Sequence, residues 1–237
     1  MRVTWYGHAC FRLEGSGVSI VTDPYTPRLA GLAPVNASAD AVVMSSALDE
    51  AHANAAMVAG SPLVLNALDA VAQPVAIADG VLVEAVAAME GVDRPDDPKA
   101  NALYRLELDG VSVCHMGDVG RRLTEEQLAP LRGRVDVLLA LAGAGLTIAL
   151  ADLDDAIAEI GPRVVIPMHF RTPSLRYHAL PVEEFLARRR GDPVVRHAGS
   201  TIEIARDTLP SVLTVHVLEP SCDPHLSGAV RPAALAQ

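Results

Sequence analysis

Short apolar runs alternate along the chain with clusters of turn-forming residues, a pattern that predicts many brief strands. Arg2 to Tyr6, Phe11 to Glu14 and Val18 to Thr22 read as the first three, parted by Gly7 and by the Gly15-Ser16-Gly17 turn. A loop punctuated by Pro24, Pro27 and Pro34 leads to Ala41 to Met44, whose unbroken apolar character predicts a buried strand. The Ala-rich stretch from Glu50 to Val58 then reads as a helix. Further strands are expected at Leu63 to Asn66, Val75 to Ile77, Val81 to Ala87, Ala102 to Leu108 and Val111 to His115, the last two joined by an Asp109-Gly110 hairpin signal.

From Thr124 the period changes. Thr124 to Leu131, opened by the capping box Thr124-x-x-Gln127, and Ala151 to Ile160 read as helices. They alternate with strands at Val135 to Leu141 and Val164 to Pro167, which predicts parallel strands under covering helices. A last helix at Pro181 to Ala187 precedes strands at Pro193 to His197, Thr201 to Ile204 and Leu213 to Leu218. The predicted class is α/β in four layers, with residues 1–220 as one domain and 221–237 as a loose tail rich in Ala, Pro and Gly.

Composition narrows the possible functions. Of 237 residues, 50% are hydrophobic and 3% aromatic, so one core of small aliphatic side chains is expected. A net charge of −10 disfavours nucleic acid as a partner, because phosphate binding needs clustered Lys and Arg. The one basic run, Arg188 to Arg190, reads as a solvated helix end. Three scattered cysteines form no CxxC pair, and no apolar window is long enough for a membrane span or a leader. These features predict a cytoplasmic protein with a small-molecule ligand and no membrane partner; a homo-oligomer stays open.

The chemistry concentrates in four phrases. Cys114-His115-Met116-Gly117-Asp118 ends a strand on a carboxylate, and Val164 to His169 ends another on an imidazole that can bind a metal. With Gly7-His8-Ala9-Cys10-Phe11 and Thr22-Asp23-Pro24, these phrases resemble the metallo-β-lactamase superfamily, in its branch of bacterial metal-dependent hydrolases related to ascorbate-6-phosphate lactonase. The resemblance runs from Met1 to about Pro173 and implies an αββα sandwich, one or two divalent metals, and a bound hydroxide that attacks an ester, lactone or phosphodiester. Matched position by position, Asp118 resembles the family's bridging aspartate and His169 its last histidine ligand. His8, Asp23 and His115 fall on positions in or beside the family's pocket, where they would support ligands from behind.

The departure from the family lies after Ala41 to Met44, where an HxHxDH loop is expected and Ser45-Ser46-Ala47-Leu48-Asp49-Glu50-Ala51-His52 stands instead. Counted forward, Ser46, Leu48, Glu50 and Ala51 take the motif positions; counted back, Ala47, Asp49, Ala51 and His52 do. The family histidine expected near Met89-Glu90 is also missing. The best remaining set is Asp118, His169, His52 and Asp49, with Glu50 as the alternative carboxylate, enough for one zinc, manganese or iron ion; the other outcome is no metal at all.

Two readings follow. One is a hydrolase with an eroded, mononuclear site; the other is a non-catalytic binding or scaffold protein in which Asp118 and His169 form only a hydrogen-bonded pair. A serine nucleophile at Ser45-Ser46 lacks a G-x-S-x-G elbow, Gly143-Ala144-Gly145 reads as a tight turn rather than an anion nest, and Cys222 with His225 as incidental. His178, His197 and His216 are expected at the surface.

Overall fold

A computed structural model describes residues 1–91 and 100–227. The chain begins with the meander β1 (Arg2–Gly7), β2 (Cys10–Gly15) and β3 (Val18–Thr22), followed by β4 (Ala41–Met44) and β5 (Leu63–Asn66). Next come β6 (Val75–Ala78), β7 (Val81–Met89), β8 (Ala100–Leu108), β9 (Val111–His115), β10 (Val137–Leu141) and β11 (Val164–Met168). The last three strands are β12 (Val194–Arg196), β13 (Thr201–Glu203) and β14 (Thr214–Val217). The helices are short: α1 (Pro27–Ala30), α2 (Glu125–Leu128), α3 (Leu150–Ile160), α4 (Val182–Arg188) and α5 (Pro224–Ser227).

These strands make two mixed sheets, ordered β13-β1-β2-β3-β4-β5 and β12-β14-β11-β10-β9-β8-β7-β6. The hairpins fold as their turn residues require: Ser16 and Gly17 (φ 52° and 75°) and Asp109 and Gly110 (φ 52° and 73°) all take the positive φ of two-residue turns. Beyond the meander, β4 and β5 add to β3 in parallel, while β9, β10 and β11 run parallel to one another. β4, β9, β10 and β11 are buried along their whole length, as parallel strands covered on both faces are, which is why their sequences read as continuous apolar runs, whereas β5 exposes Leu63 and Val64.

Strand alternation divides the core. Ile20, Ala41 and Val43 point between the sheets with Phe11, Leu13 and Leu106, whereas Val21, Val42 and Met44 face outward onto Tyr25, Leu32, Val35 and Val58. On the second sheet, α3 buries Leu153, Ala156, Ile157 and Ile160, one stripe at helical spacing, and ends at Gly161 in the left-handed conformation. No described helix is long and apolar enough to cross a membrane.

Several expectations change. No helix forms over Glu50 to Val58; among those residues only Ala55–Met57 make a 3-10 turn. The Asp49 carboxylate accepts the Ala51 N–H (3.0 Å) and the Asn54 N–H donates to the Pro24 carbonyl (2.7 Å), so local and tertiary bonds take the donors a helix would use. Consequently loops and α1 cover the outer face of the first sheet. The expected helix Thr124 to Leu131 shrinks to α2, with both capping-box bonds present (2.8 and 3.3 Å). Where a loose tail is expected, the N–H groups of Ser221 and Cys222 donate to the Trp5 and Tyr6 carbonyls (3.0 and 3.1 Å). The tail from residue 228 onward lies outside the described residues.

The division of the core yields a test. Ile20→Ala, at a fully buried position between the sheets, should cost about 2–5 kcal/mol in urea denaturation. Leu82→Ala, at a half-exposed position, should stay within about 0.5 kcal/mol of wild type.

Candidate metal centre

Every phrase singled out above terminates at one end of the molecule, where β3, β4, β9, β10 and β11 all point their C-terminal ends. The backbone there is strained in a patterned way. His8, Asp23, Ala144 and His169 have φ of 54°, 39°, 46° and 56°, and among the described residues the other non-glycine positions with positive φ are the hairpin tips Ser16 and Asp109. Each such residue costs about 1–3 kcal/mol and persists only where the surroundings enforce it. Here the enforcement is visible: the His8 carbonyl accepts both the Trp5 indole N–H (3.1 Å) and the His169 backbone N–H (3.0 Å).

Two glycines allow the strand ends to close in. A Cβ on Gly117 would lie 2.5–2.7 Å from Asn101, Ala102 and Ser45, and one on Gly143 would lie 2.0 Å from the His169 carbonyl. Gly143-Ala144-Gly145 is therefore a packing turn, as its sequence predicts. Asp118 follows Gly117, and its N–H donates to the Asn101 side chain (3.0 Å).

The result is a cavity of about 210 Å³ lined by His8, Asp49, His52, Asp118 and His169, together with Glu90, Leu146 and Tyr177. The structure thus brings together all four residues expected as ligands, along with His8. Glu50 is exposed and does not line the cavity, and its carbonyl accepts the Thr26 hydroxyl (2.9 Å). Asp23 and His115 lie behind the cavity. Glu90 and Tyr177 escaped the sequence reading. The missing family histidine near Met89-Glu90 was the available signal for Glu90; Tyr177 carries none, because it lies beyond the resembling segment.

Ligand-type atoms face one another here. Oδ1 of Asp118 lies 3.6 Å from His169 Nε2, its Oδ2 lies 3.7 Å from His52 Nε2, and Asp49 Oδ2 lies 3.9 Å from His52 Nε2. Those separations exceed hydrogen-bond range. They approach the roughly 3.3–3.6 Å between neighbouring ligands about 2.0–2.2 Å from a tetrahedral ion. His52 Nε2 and Asp118 Oδ1 are hidden from solvent without a hydrogen-bond partner, as is His8 Nδ1. Two groups of three, His8-His52-His169 and Asp49-His52-Asp118, each keep their ligand atoms within 4.8 Å.

Behind this surface, Asp23 is fully buried and fully engaged. It accepts the Ser45 N–H (2.8 Å), the Ser45 hydroxyl (2.6 Å), the Tyr104 hydroxyl (3.2 Å) and His52 Nδ1 (3.0 Å). Burial alone would raise its pKa, but His115, His52 and the Ser45 bonds outweigh that and hold it below the ordinary carboxylate value. Ser45 is thereby a buried donor to Asp23 rather than a nucleophile. His115 uses both ring nitrogens, Nε2 donating to the Ala9 carbonyl (2.8 Å) and Nδ1 accepting the Gly117 N–H (2.9 Å), so it braces the turn that carries Asp118.

Burial lowers the pKa of His8 and His169, neighbouring histidines adding to the effect and Asp118 opposing it at His169. His52 goes the other way: burial disfavours its charge, but Asp118, Asp23 and Asp49 together override it and push the pKa up to about 10. Tyr177 packs at a tilt against His8 (4.9 Å between rings), and its phenol is raised to about 12 by burial and then by Asp49, Asp118 and Glu50.

Outside the centre, Arg188 and Arg189 of the basic run pair with Asp154 (2.6 and 3.5 Å), and Arg190 is exposed. His197 and His216, expected at the surface, are half-buried and share a hydrogen bond (2.9 Å). His197 directly follows β12 and His216 lies on its parallel neighbour β14, which brings the two rings together.

Comparison with known proteins places this geometry in context. A model of the beta-lactamase superfamily domain matches residues 2–169. A UPF0173 metal-dependent hydrolase of Methanosphaerula palustris is 31% identical over 232 residues, covering 86% of this chain and all of the relative. One from Methanoculleus marisnigri is 30% identical over 203 residues, covering 78% and 87%. Among solved structures, a metallo-β-lactamase superfamily member from Thermotoga maritima superposes with a TM-score of 0.73 at 31% identity, over 92% of this chain and 98% of its own. The isothiocyanate hydrolase from Delia radicum gut bacteria has a TM-score of 0.64 at 14% identity and shows the fold alone.

The elevated His52 pKa has a defined pH signature in chelator-treated protein. Because the folded value lies above the ordinary 6.5, the charged ring stabilises the fold fully below about pH 6.5, and that stabilisation disappears as pH rises toward about 10. The stability gap between wild type and His52→Gln should therefore narrow by at least about 1 kcal/mol between pH 6.5 and pH 10 in urea denaturation. A gap that stays constant over this range would refute the assigned charge.

Proposed function

The chain belongs to the beta-lactamase superfamily, in the UPF0173 metal-dependent hydrolase family, and from that premise we propose that its cavity is the metal centre of a hydrolase acting on a small ester or lactone. The observation that carries the reading is that His52 is shared by two groups of ligand-type residues, His8-His52-His169 and Asp49-His52-Asp118, with atoms of His52 and Asp118 hidden and without a hydrogen-bond partner among the described residues. Buried polar atoms left without partners are costly, and an ion that accepts their lone pairs removes that cost.

Two imidazoles and two carboxylates suit one zinc, manganese or iron ion. Such an ion, when bound, supplies Lewis acidity and brings the pKa of water toward neutrality. The chain's own residues do the rest. Asp23 accepts the Nδ1 proton of His52, which leaves the Nε2 lone pair facing the cavity and fixes the ring's orientation. Asp118 presents one oxygen to each histidine, and its position is held by Asn101 and by the His115-braced turn. Glu90 adds a third carboxylate to the cavity wall. Leu146 adds an apolar lip for the uncharged part of a substrate. In place of the histidines of the HxHxDH loop, Asp49 supplies a carboxylate, which gives a mononuclear centre; a phosphodiester is the alternative substrate.

Metal analysis tests this directly. Purified protein should hold about one equivalent of zinc, manganese or iron and hydrolyse p-nitrophenyl acetate or γ-butyrolactone. His52→Ala, Asp118→Ala and His169→Ala should each abolish both properties. Asp23→Asn should weaken metal affinity by about 10–100-fold. Absence of bound metal, with no thermal shift on adding it, would favour the scaffold reading instead.

A further inference from the structure

His8 falls where the family resemblance calls for a supporting residue, yet its surroundings are not those of one. His115, which does support, is buried and satisfied at both ring nitrogens, by the Ala9 carbonyl (2.8 Å) and the Gly117 N–H (2.9 Å). His8 is 2% exposed and lines the cavity, and its Nδ1 is hidden from solvent without a hydrogen-bond partner. His52 Nε2 and His169 Nδ1 share that condition. Buried nitrogens left unpaired are costly, and three of them around one cavity call for a common explanation.

The three rings stand together. His8 packs at a tilt between the other two, with ring centres 4.1 Å from His169 and 4.6 Å from His52, while His52 and His169 lie nearly parallel 5.9 Å apart. One nitrogen from each ring falls within 4.8 Å of the other two, about 1 Å beyond the roughly 3.3–3.6 Å that separates neighbouring ligands on a tetrahedral ion. The mount of His8, in the turn between β1 and β2, is firm. Its φ of 54° matches the 56° of His169, and its carbonyl accepts both the His169 N–H (3.0 Å) and the Trp5 indole N–H (3.1 Å). Strain at two residues bonded to each other persists because the surroundings enforce it, and its effect is to set both imidazoles on one cavity wall.

We propose that His8 is a metal ligand, so that the ion is held by the three imidazoles of His8, His52 and His169 together with the Asp118 carboxylate. This rests on the metal-centre reading above and adds a ligand to it. Asp118 joins the set because its two oxygens lie 3.6 Å from His169 Nε2 and 3.7 Å from His52 Nε2. A histidine of the β1–β2 turn thereby supplies an imidazole that the loop after β4 does not. Three nitrogen donors also decide which ion is preferred: imidazole suits zinc, whereas manganese favours oxygen ligands, so the centre selects zinc over manganese.

The test combines spectroscopy with metal titration. Wild type loaded with one equivalent of copper(II) that zinc displaces should show coupling to three imidazole nitrogens in electron paramagnetic resonance, and His8→Asn should show two. Asparagine tolerates the left-handed backbone of His8, so the metal-free variant should keep its thermal midpoint within about 4 °C of wild type. Its zinc affinity should fall more than about 100-fold, beyond the about 10–100-fold typical of a supporting residue, and its preference for zinc over manganese should shrink. Two or fewer nitrogens in the wild-type spectrum would overturn the proposal. So would a variant that keeps the wild-type nitrogen count, whether its zinc affinity is unchanged or lowered, since His8 would then only support. Should the variant not fold, the wild-type count decides alone. If wild type binds neither copper nor zinc, the metal-centre reading itself fails, a result distinguishable because it does not depend on the variant.

Discussion

One buried carboxylate holds the arrangement together. Asp23 has no contact with solvent, and removing a charge from water costs several kcal/mol unless its lone pairs are met. Its four partners come from different parts of the chain: two from Ser45 at the end of β4, one from Tyr104 on β8 of the opposite sheet, and one from His52 in the following loop. The two sheets are thus fastened at the point where the cavity opens. A strand end, a loop and a ring orientation are fixed by the need to satisfy a single anion.

That constraint explains why, among the described residues, strain accumulates at this edge and otherwise only at the hairpin tips. His8, Asp23 and His169 each end a strand and reverse the chain through a left-handed residue. An ordinary extended backbone would carry their side chains past the cavity. Gly117 and Gly143 supply the clearance that such close turns need. The stability given up in these conformations is offset by the large aliphatic core between the sheets, which makes no demands on the cavity's geometry.

Charge is distributed along the same lines. Carboxylates at Asp49 and Asp118 face the cavity, and burial keeps His8, His115 and His169 neutral. Only His52, surrounded by three aspartates, is drawn toward the charged form. An entering cation would replace that proton without disturbing the bond from Nδ1 to Asp23, so the supporting network serves both states.

Much of this was legible in the residues themselves. The apolar runs marked the strands, Asp109-Gly110 marked a hairpin, and the strand-terminal phrases around Asp118 and His169 marked the edge where the cavity lies, because periodicity, turn chemistry and strand-end ligands are local properties. The Glu50 to Val58 segment was misleading for the complementary reason: its alanines favour a helix, yet the Asx turn at Asp49 and the bond from Asn54 to Pro24 are set by the surrounding fold. Sequence counting placed both Asp49 and Glu50 near the centre, and only packing decided between them, turning Asp49 inward and leaving Glu50 in solvent. Tyr177 was invisible to any motif and Glu90 was signalled only by a missing histidine, since what recruits them is proximity across loops far apart in the chain. The sequence alone determined which strands exist and which of them end in chemistry; the tertiary structure decided which side chains share a cavity, because that depends on how two sheets close around one buried charge.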